Sequence, residues 1–228
     1  MAKALSLIIP TLNDAEALGL LLAQLQIHRA EVELIVVDGH SQDTSIAIAT
    51  PLADHVLCSP AGRARQMNAG AAHAQGETLL FVHADTQLPD NFPALISHAM
   101  QHADWGRFDL RLQPSTALLR CVAWFINTRS RLTRIATGDQ GIFVRRRLWQ
   151  QLGGYADIAL MEDIELSRRL KRAGQFAAIR TPLITSSRRW LKHGTLRTIG
   201  LMWSLRWRYW RGADPADLAA RYYGPRQS

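Results

Sequence analysis

The sequence predicts an α/β fold in which helices flank a mostly parallel central sheet, and three observations carry that expectation. Short apolar runs alternate with longer helix-like stretches through the first half, the rhythm of strands joined by crossover helices. Three of these runs end in polar residues suited to a ligand: Thr11 after the first, Asp38-Gly39 after Ile35-Val36-Val37, and His83-Ala84-Asp85 after Leu80-Phe81-Val82. With 228 residues, 47% of them hydrophobic, the chain is long enough to close one well-buried core and short for two.

The elements follow in order. Leu5 to Ile9 reads as a strand and Ala15 to His28 as a helix, with Asn13 and Asp14 as its caps. Val32 to Val37 is the second strand, and Ser41 caps the helix of Thr44 to Ala49. His55 to Leu57 is a strand, Ala64 to Ala74 a helix and Thr78 to His83 a strand, and Asp90 caps a helix that begins near Phe92. Ligands of open α/β sheets bind outside the carboxyl ends of the strands, where Thr11, Asp38 and Asp85 fall. Beyond Trp105 the rhythm changes. Phe108 to Leu112 alternates like a half-exposed strand, and Leu118 to Leu132 reads as a helix. Ile142-Phe143-Val144 is a strand after the turn Gly138-Asp139-Gln140-Gly141. Gly153-Gly154-Tyr155 is a loop, Ile164 to Ala173 a helix ended by Gly174, and Phe176 to Ile179 a last strand. There is no internal repeat and no low-complexity tract.

From Gly194 to Gly212 the chain reads as a helix carrying Leu196, Ile199, Trp203, Trp207 and Trp210 on one stripe, with Arg197, Arg208 and Arg211 on its flank. A basic, tryptophan-rich helix suits an anionic membrane interface. It suits equally a helix docked on the rest of the chain or in a homodimer.

The net charge of +8 hides an asymmetry. Residues 1–119 hold 6 Lys/Arg against 12 Asp/Glu, and residues 120–228 hold 21 against 7. A basic carboxyl-terminal half attracts phosphate, nucleic acid or an anionic membrane, and charge alone does not choose among them. Cys58 and Cys121 lie far apart without metal-like spacing, so buried, reduced thiols in a cytoplasmic protein are expected. Met1-Ala2-Lys3 reaches Pro10 after too few apolar residues for a secretory signal. No stretch approaches the roughly 20 uncharged apolar residues of a membrane-spanning helix, so contact with a membrane would be peripheral, at its inner face.

Met161-Glu162-Asp163-Ile164-Glu165 stands at the head of a helix-like run. Helical neighbours sit about 100° apart, so the three acids cannot share one face, and at least one points inward. That places an acid where a reaction on a hydroxyl needs a base.

Together these motifs resemble family 2 glycosyltransferases, inverting sugar transferases of the GT-A fold. The likeness runs from about Leu5 to Trp190. Ser6 to Asp14 looks like the family's first strand and nucleotide loop, which implies donor contacts from Pro10, Thr11, Leu12 and Asp14. Val36 to Thr44 looks like its second, with Asp38 on the base or ribose and Gly39 allowing close approach. His83-Ala84-Asp85 sits where the family carries its metal-binding Asp-x-Asp, so Asp85 is the implied ligand of Mn²⁺ or Mg²⁺; His83 and Ala84 lie beside the donor. Gly62-Arg63-Ala64-Arg65-Gln66-Met67-Asn68 is similar to a small bacterial subgroup. There Arg63 suits the diphosphate and Gln66 and Asn68 the nucleotide, since a helix start offers free N–H groups to anions. Glu162-Asp163 matches the pair holding the catalytic base, Asp163, with Gln140 and Asp139 positioning a substrate. Arg188-Arg189-Trp190 matches only the end of the Gln-x-x-Arg-Trp motif of processive members.

The resemblance implies a metal-dependent inverting transferase that uses a nucleotide-diphosphate sugar and acts on an unidentified acceptor hydroxyl, with a lipid-linked acceptor suiting the basic helix. Residues 1–190 would form the catalytic domain, 1–112 its nucleotide-sugar half and 113–190 its acceptor half, with 191–228 a basic, aromatic helical extension. Rival readings are a nucleotidyltransferase, whose Gly-rich, Lys-containing opening loop is missing here, and a nucleotide- or nucleic-acid-binding module. Nucleic acid is not the expected partner, since simple binding has no need of Asp38, Asp85 and Asp163 together.

Overall fold

Strands β1 (Leu5–Thr11) and β2 (Val32–Asp38) are buried along their whole lengths, as parallel strands covered on both faces must be. They lie parallel, with β3 (His55–Cys58) beyond β2 and β4 (Thr78–Phe81) on the other side of β1. The computed structural model describes residues 3–224; Met1 and Ala2 of the amino-terminal reading, and the last four residues of the carboxyl-terminal extension, lie outside them. Helices α1 (Ala15–Leu25), α2 (Ser45–Ala49) and α3 (Arg63–His73) make the crossovers, and α4 (Phe92–Ala99) follows a two-residue strand, β5 (Thr86–Gln87).

The second half adds β6 (Trp105–Gln113), α5 (Ala117–Thr133), β7 (Ile142–Arg145), α6 (Arg146–Gln151), α7 (Glu162–Ala173) and β8 (Phe176–Ser186). The sheet order is β3-β2-β1-β4-β7-β6-β8-β5. Its parallel pairs are β1–β2, β1–β4, β2–β3 and β6–β8, and its antiparallel pairs β4–β7, β6–β7 and β5–β8. The expected half-exposed strand at Phe108–Leu112 is part of a nine-residue strand buried through Leu110, because both of its neighbours in the sheet are long-range partners that local alternation does not register. The last strand likewise runs seven residues past Ile179, since β6 pairs with it across a bulge at Phe108/Asp109.

Alternation along β1 divides the core. Leu7 and Ile9 face one cluster with Leu18, Leu22 and Phe108, while Ile8 faces another with Val37, Met67 and Leu166. α5 is locked to β6 through Asn127, whose amide brackets the backbone of Leu110 at 2.9 and 3.0 Å. A buried Arg107–Asp109 ion pair and Arg131 on the same Asp109 complete the joint.

The expected caps are replaced by a reciprocal arrangement. Neither Asn13 nor Asp14 caps α1 with its side chain; Asp43 does, its carboxylate accepting from Ala15 N–H and Ser45 N–H at 3.0 Å each, so that one residue serves α1 and α2. Ser41 accepts from Asn13 N–H, and Asn13 from Gln42 N–H. Adjacent parallel strands deliver their loops side by side, and each loop supplies what the other lacks. Asp90 does not cap α4, which starts after Asn91 without a side-chain cap. The cysteines are free, as expected, but both are exposed rather than buried, because β3 is an edge strand and Cys121 of α5 borders an open pocket.

The carboxyl-terminal segment folds as α8 (Arg188–His193), α9 (Thr195–Trp210) and α10 (Pro215–Tyr223). Leu201, Met202, Leu205 and Tyr209 of α9 and Leu218 of α10 pack on Leu160, Met161 and Ile164. No helix among the described residues is long and apolar enough to cross a membrane.

Candidate active site

The ends of β1 and β2 present two unpartnered polar atoms. Thr11 and Asp38 are register partners. Asp38 is fully buried; one carboxylate oxygen accepts from Ser41 N–H at 2.8 Å, while Oδ1 has no partner, and neither does the buried Thr11 Oγ1. Buried polar atoms are nearly always satisfied, so a pair left open at a sheet edge marks a ligand position. Gln66 holds this edge together, its Nε2 donating to Thr11 O at 2.7 Å and Val37 O at 2.8 Å.

A second group gathers after β4. His83 Nε2 lies 4.0 Å from Asp139 Oδ1. Burial, then the Arg63 guanidinium, holds the His83 imidazole down at about 4, so it is neutral with a free lone pair. Burial, then Asp139 and Asp14, pushes the Asp85 carboxyl up to about 6. The neighbouring charges of Asp139 and Asp14 raise the Asp85 carboxyl, so a cation beside Asp85 would relieve like-charge repulsion.

The third group is the acid pair. Met161, immediately before α7, adopts a left-handed conformation (φ 71°), a strained choice for a residue with a β-carbon. It turns Glu162 and Asp163 inward. Asp163 Oδ2 accepts from Gly138 N–H at 2.8 Å and Oδ1 from Ile164 N–H at 2.7 Å. Burial and the Asp163 charge push Glu162 up to about 7 against the pull of Arg63. Burial also raises Asp163, opposed by the Gly138 N–H, Arg206 and the Ile164 N–H. Both carboxyls border a pocket of about 320 Å³ that also touches Arg63, Asp139, Arg206 and Tyr222 and runs between α5 and α9.

Several expected contacts are committed elsewhere. Gln66 is tied to the strand ends. Asn68 exchanges two hydrogen bonds with the Tyr155 backbone, at 2.8 and 2.9 Å, and so pins α3 to the Gly153–Tyr155 loop. Gln140 accepts from Thr137 N–H and donates to Ser130 Oγ; it shapes the turn that presents Gly138. Each of these three amides is held by partners within the protein, which gives it a positioning role. Pro10 and Ala84 are buried in the walls, Leu12 is exposed at the rim, and Asp14 stands near Asp85. Arg189 donates to Tyr222 O and lies 3.5 Å over its ring, so it anchors α10, while Trp190 lines the pocket. Arg206 and Tyr222 escaped the sequence reading, since nothing local signals that α9 and α10 fold back over α7.

A family model described as "Glycosyl transferase family 2" matches residues 6–147. The chain belongs to that family. The match includes the Thr11–Asp38 edge and the His83–Asp85 group and stops before Glu162-Asp163, which the fold alone brings to the site. No curated protein sequence matches the chain. Among solved structures it is similar to S. aureus TarS 1-349 (18% identity, TM-score 0.64, 82% of this chain and 61% of that one). It is also similar to the mannosyltransferase PcManGT from Pyrobaculum calidifontis in complex with GDP-Man and Mn²⁺ (20%, 0.60, 82% and 57%). A third is glucosyl-3-phosphoglycerate synthase from Mycobacterium tuberculosis in complex with Mn²⁺, UDP and glucosyl-3-phosphoglycerate (14%, 0.56, 81% and 70%). The chain spans about three fifths of the length of the first of these. The shared feature is the GT-A architecture, a curled sheet with flanking helices.

Proposed function

We propose that this family 2 member is a metal-dependent, inverting glycosyltransferase that moves a sugar from a nucleotide-diphosphate donor to an acceptor hydroxyl. The observation that carries the reading is Asp163, a carboxylate fixed by two backbone N–H groups at the edge of an open pocket that Arg63 shares. The open atoms of Thr11 and Asp38 support a base or ribose at the strand edge. Arg63 supports the diphosphate.

Asp85 would hold a divalent cation, Mn²⁺ or Mg²⁺, with His83 and Asp139 close by. Among the described residues no three His, Cys, Asp or Glu side chains are grouped to bind a metal by themselves, which suits an ion completed by diphosphate oxygens. Complexes of two structural relatives with Mn²⁺ support the same reading. Such an ion, when bound, neutralises charge on the departing nucleoside diphosphate.

Asp163 takes the proton of the acceptor hydroxyl as its oxygen attacks the anomeric carbon from the face opposite the diphosphate. The new C–O bond forms while the bond to the diphosphate oxygen breaks, and the configuration inverts. Burial, with the Asp139 charge adding to it, raises the proton affinity of Asp163, which brings the base closer to neutrality, where general-base catalysis works best. The exposed tryptophans and arginines of α9 support a place for the enzyme on an anionic membrane surface.

Thermal-shift screening of nucleotide sugars with and without Mn²⁺, followed by transfer assays, tests the reading. Asp163→Asn is expected to bind the donor nearly as tightly as the parent while transfer falls about 10²- to 10⁴-fold. Full turnover in that variant would remove Asp163 from the chemistry.

A further inference from the structure

The pocket beside Asp163 is lined mainly by carbon. α5 contributes Val122, Phe125 and Ile126, and α9 contributes Ile199, Met202 and Trp203. Its charged groups gather at the head of α7, where Glu162 and Asp163 stand with Arg63, Asp139 and Arg206. An acceptor that is polar all over would leave hydroxyls against those six apolar side chains without partners, an unfavourable burial. Each methylene placed there instead gains roughly fourfold in affinity.

At about 320 Å³ the pocket stands at the small end of ligand sites, large enough for the first part of a chain. It opens along an apolar rim. Phe125 and Trp203 stack at 5.7 Å and remain 42% and 59% exposed. The rim continues along α9 into Trp207 and Trp210, which are 56% and 72% exposed. Exposed apolar surface that runs continuously into a pocket ending on a reactive carboxylate describes a path for a tail.

We propose that this pocket is the acceptor site and that the acceptor is an amphiphile. Its hydroxyl sits at Asp163, and a single apolar chain lies between α5 and α9 and leaves past Phe125 and Trp203. The inference rests on the transfer chemistry proposed above.

Cys121 is exposed and lines the pocket, so it reports occupancy without any need for turnover. In a Cys58→Ser background, decyl β-glucoside below its micelle concentration should slow alkylation of Cys121 by N-ethylmaleimide at least tenfold. Methyl β-glucoside at the same concentration should not. Ile199→Trp, or Val122→Trp if the first does not fold, fills the pocket; it should cancel the effect of the alkyl chain while binding of UDP or GDP with Mn²⁺ stays within twofold. Equal rates with the two glucosides, or protection that survives in the filled variant, would overturn the amphiphile. If Cys121 is protected but neither nucleoside diphosphate binds, the pocket assignment stands and the transferase reading falls.

Discussion

The backbone N–H of Gly138 donates to Oδ2 of Asp163 at 2.8 Å, so the turn before β7 holds the first turn of α7 across 25 residues of sequence. The same glycine sits against the other half of the site. A β-carbon at position 138 would lie 2.6 Å from Nε2 of His83, closer than real side chains approach. One residue without a side chain therefore sits between Asp163 and His83.

Gly138→Ala should displace either His83 or the turn. Misplacement by about 1 Å costs an enzyme on the order of 10²-fold in rate, so transfer is expected to drop by one to two orders of magnitude while the thermal transition changes little. A steady-state assay beside a melting curve decides this; parental kcat would show that the close approach is not needed.

Asp85→Asn removes the charge that attracts a hard cation and keeps the side chain's shape. Calorimetry should find nucleoside diphosphate binding no longer enhanced by Mn²⁺, since an amide is a poor ligand for such ions. Unchanged enhancement would place the ion elsewhere.

The acid pair makes a pH signature. Glu162, pushed up to about 7, and Asp163, also raised, hold protons in the folded state that the unfolded chain has already released. The folded state thus binds more protons between the unfolded carboxylate value, about 4.3, and about 7. Stability falls as pH rises through that window, and the penalty is complete above it. Glu162→Gln removes one of the two like charges. It should raise the melting temperature at pH 8 and leave it nearly unchanged at pH 4. A melting temperature unchanged at pH 8 would mean that the pair is not in conflict.

α9 uses two faces. Leu201, Met202, Leu205 and Tyr209 hold it to the protein, and Trp203, Trp207 and Trp210 are left facing outward. The parent should float with anionic liposomes, and the Trp203/Trp207/Trp210→Ala triple variant should not, while its melting temperature is nearly unchanged, because the substituted rings are exposed. Each basic residue near an anionic surface contributes about 1 kcal/mol and is screened by salt, so attachment should weaken as salt rises. A parent that ignores anionic liposomes ends the membrane reading.

Much of the donor side was legible in the sequence, and the reason is local. A buried parallel strand announces itself by an unbroken apolar run, and its last residue falls on the carboxyl edge of the sheet whatever the rest of the chain does; Thr11 and Asp38 follow from that, and Asp85 lies in the turn just past the end of β4. The three acids at the head of α7 likewise implied an inward carboxylate from helical geometry. The internal partners of Gln66, Asn68 and Gln140 were not legible, because a polar side chain beside a site looks the same in sequence whatever it bonds. Only tertiary structure could show that all three hydrogen-bond within the protein, to partners 3 to 87 residues away. It also decided how the carboxyl-terminal helices pack. α9 carries apolar residues nearly all round, so periodicity could not say which face docks; the fold chose Leu205 and its neighbours, and left Arg206, Tyr222 and Asp163 on the lining of one carbon-rich pocket. Strand ends are set by hydrogen-bond ladders a few residues long, whereas a pocket between helices depends on packing across the whole chain.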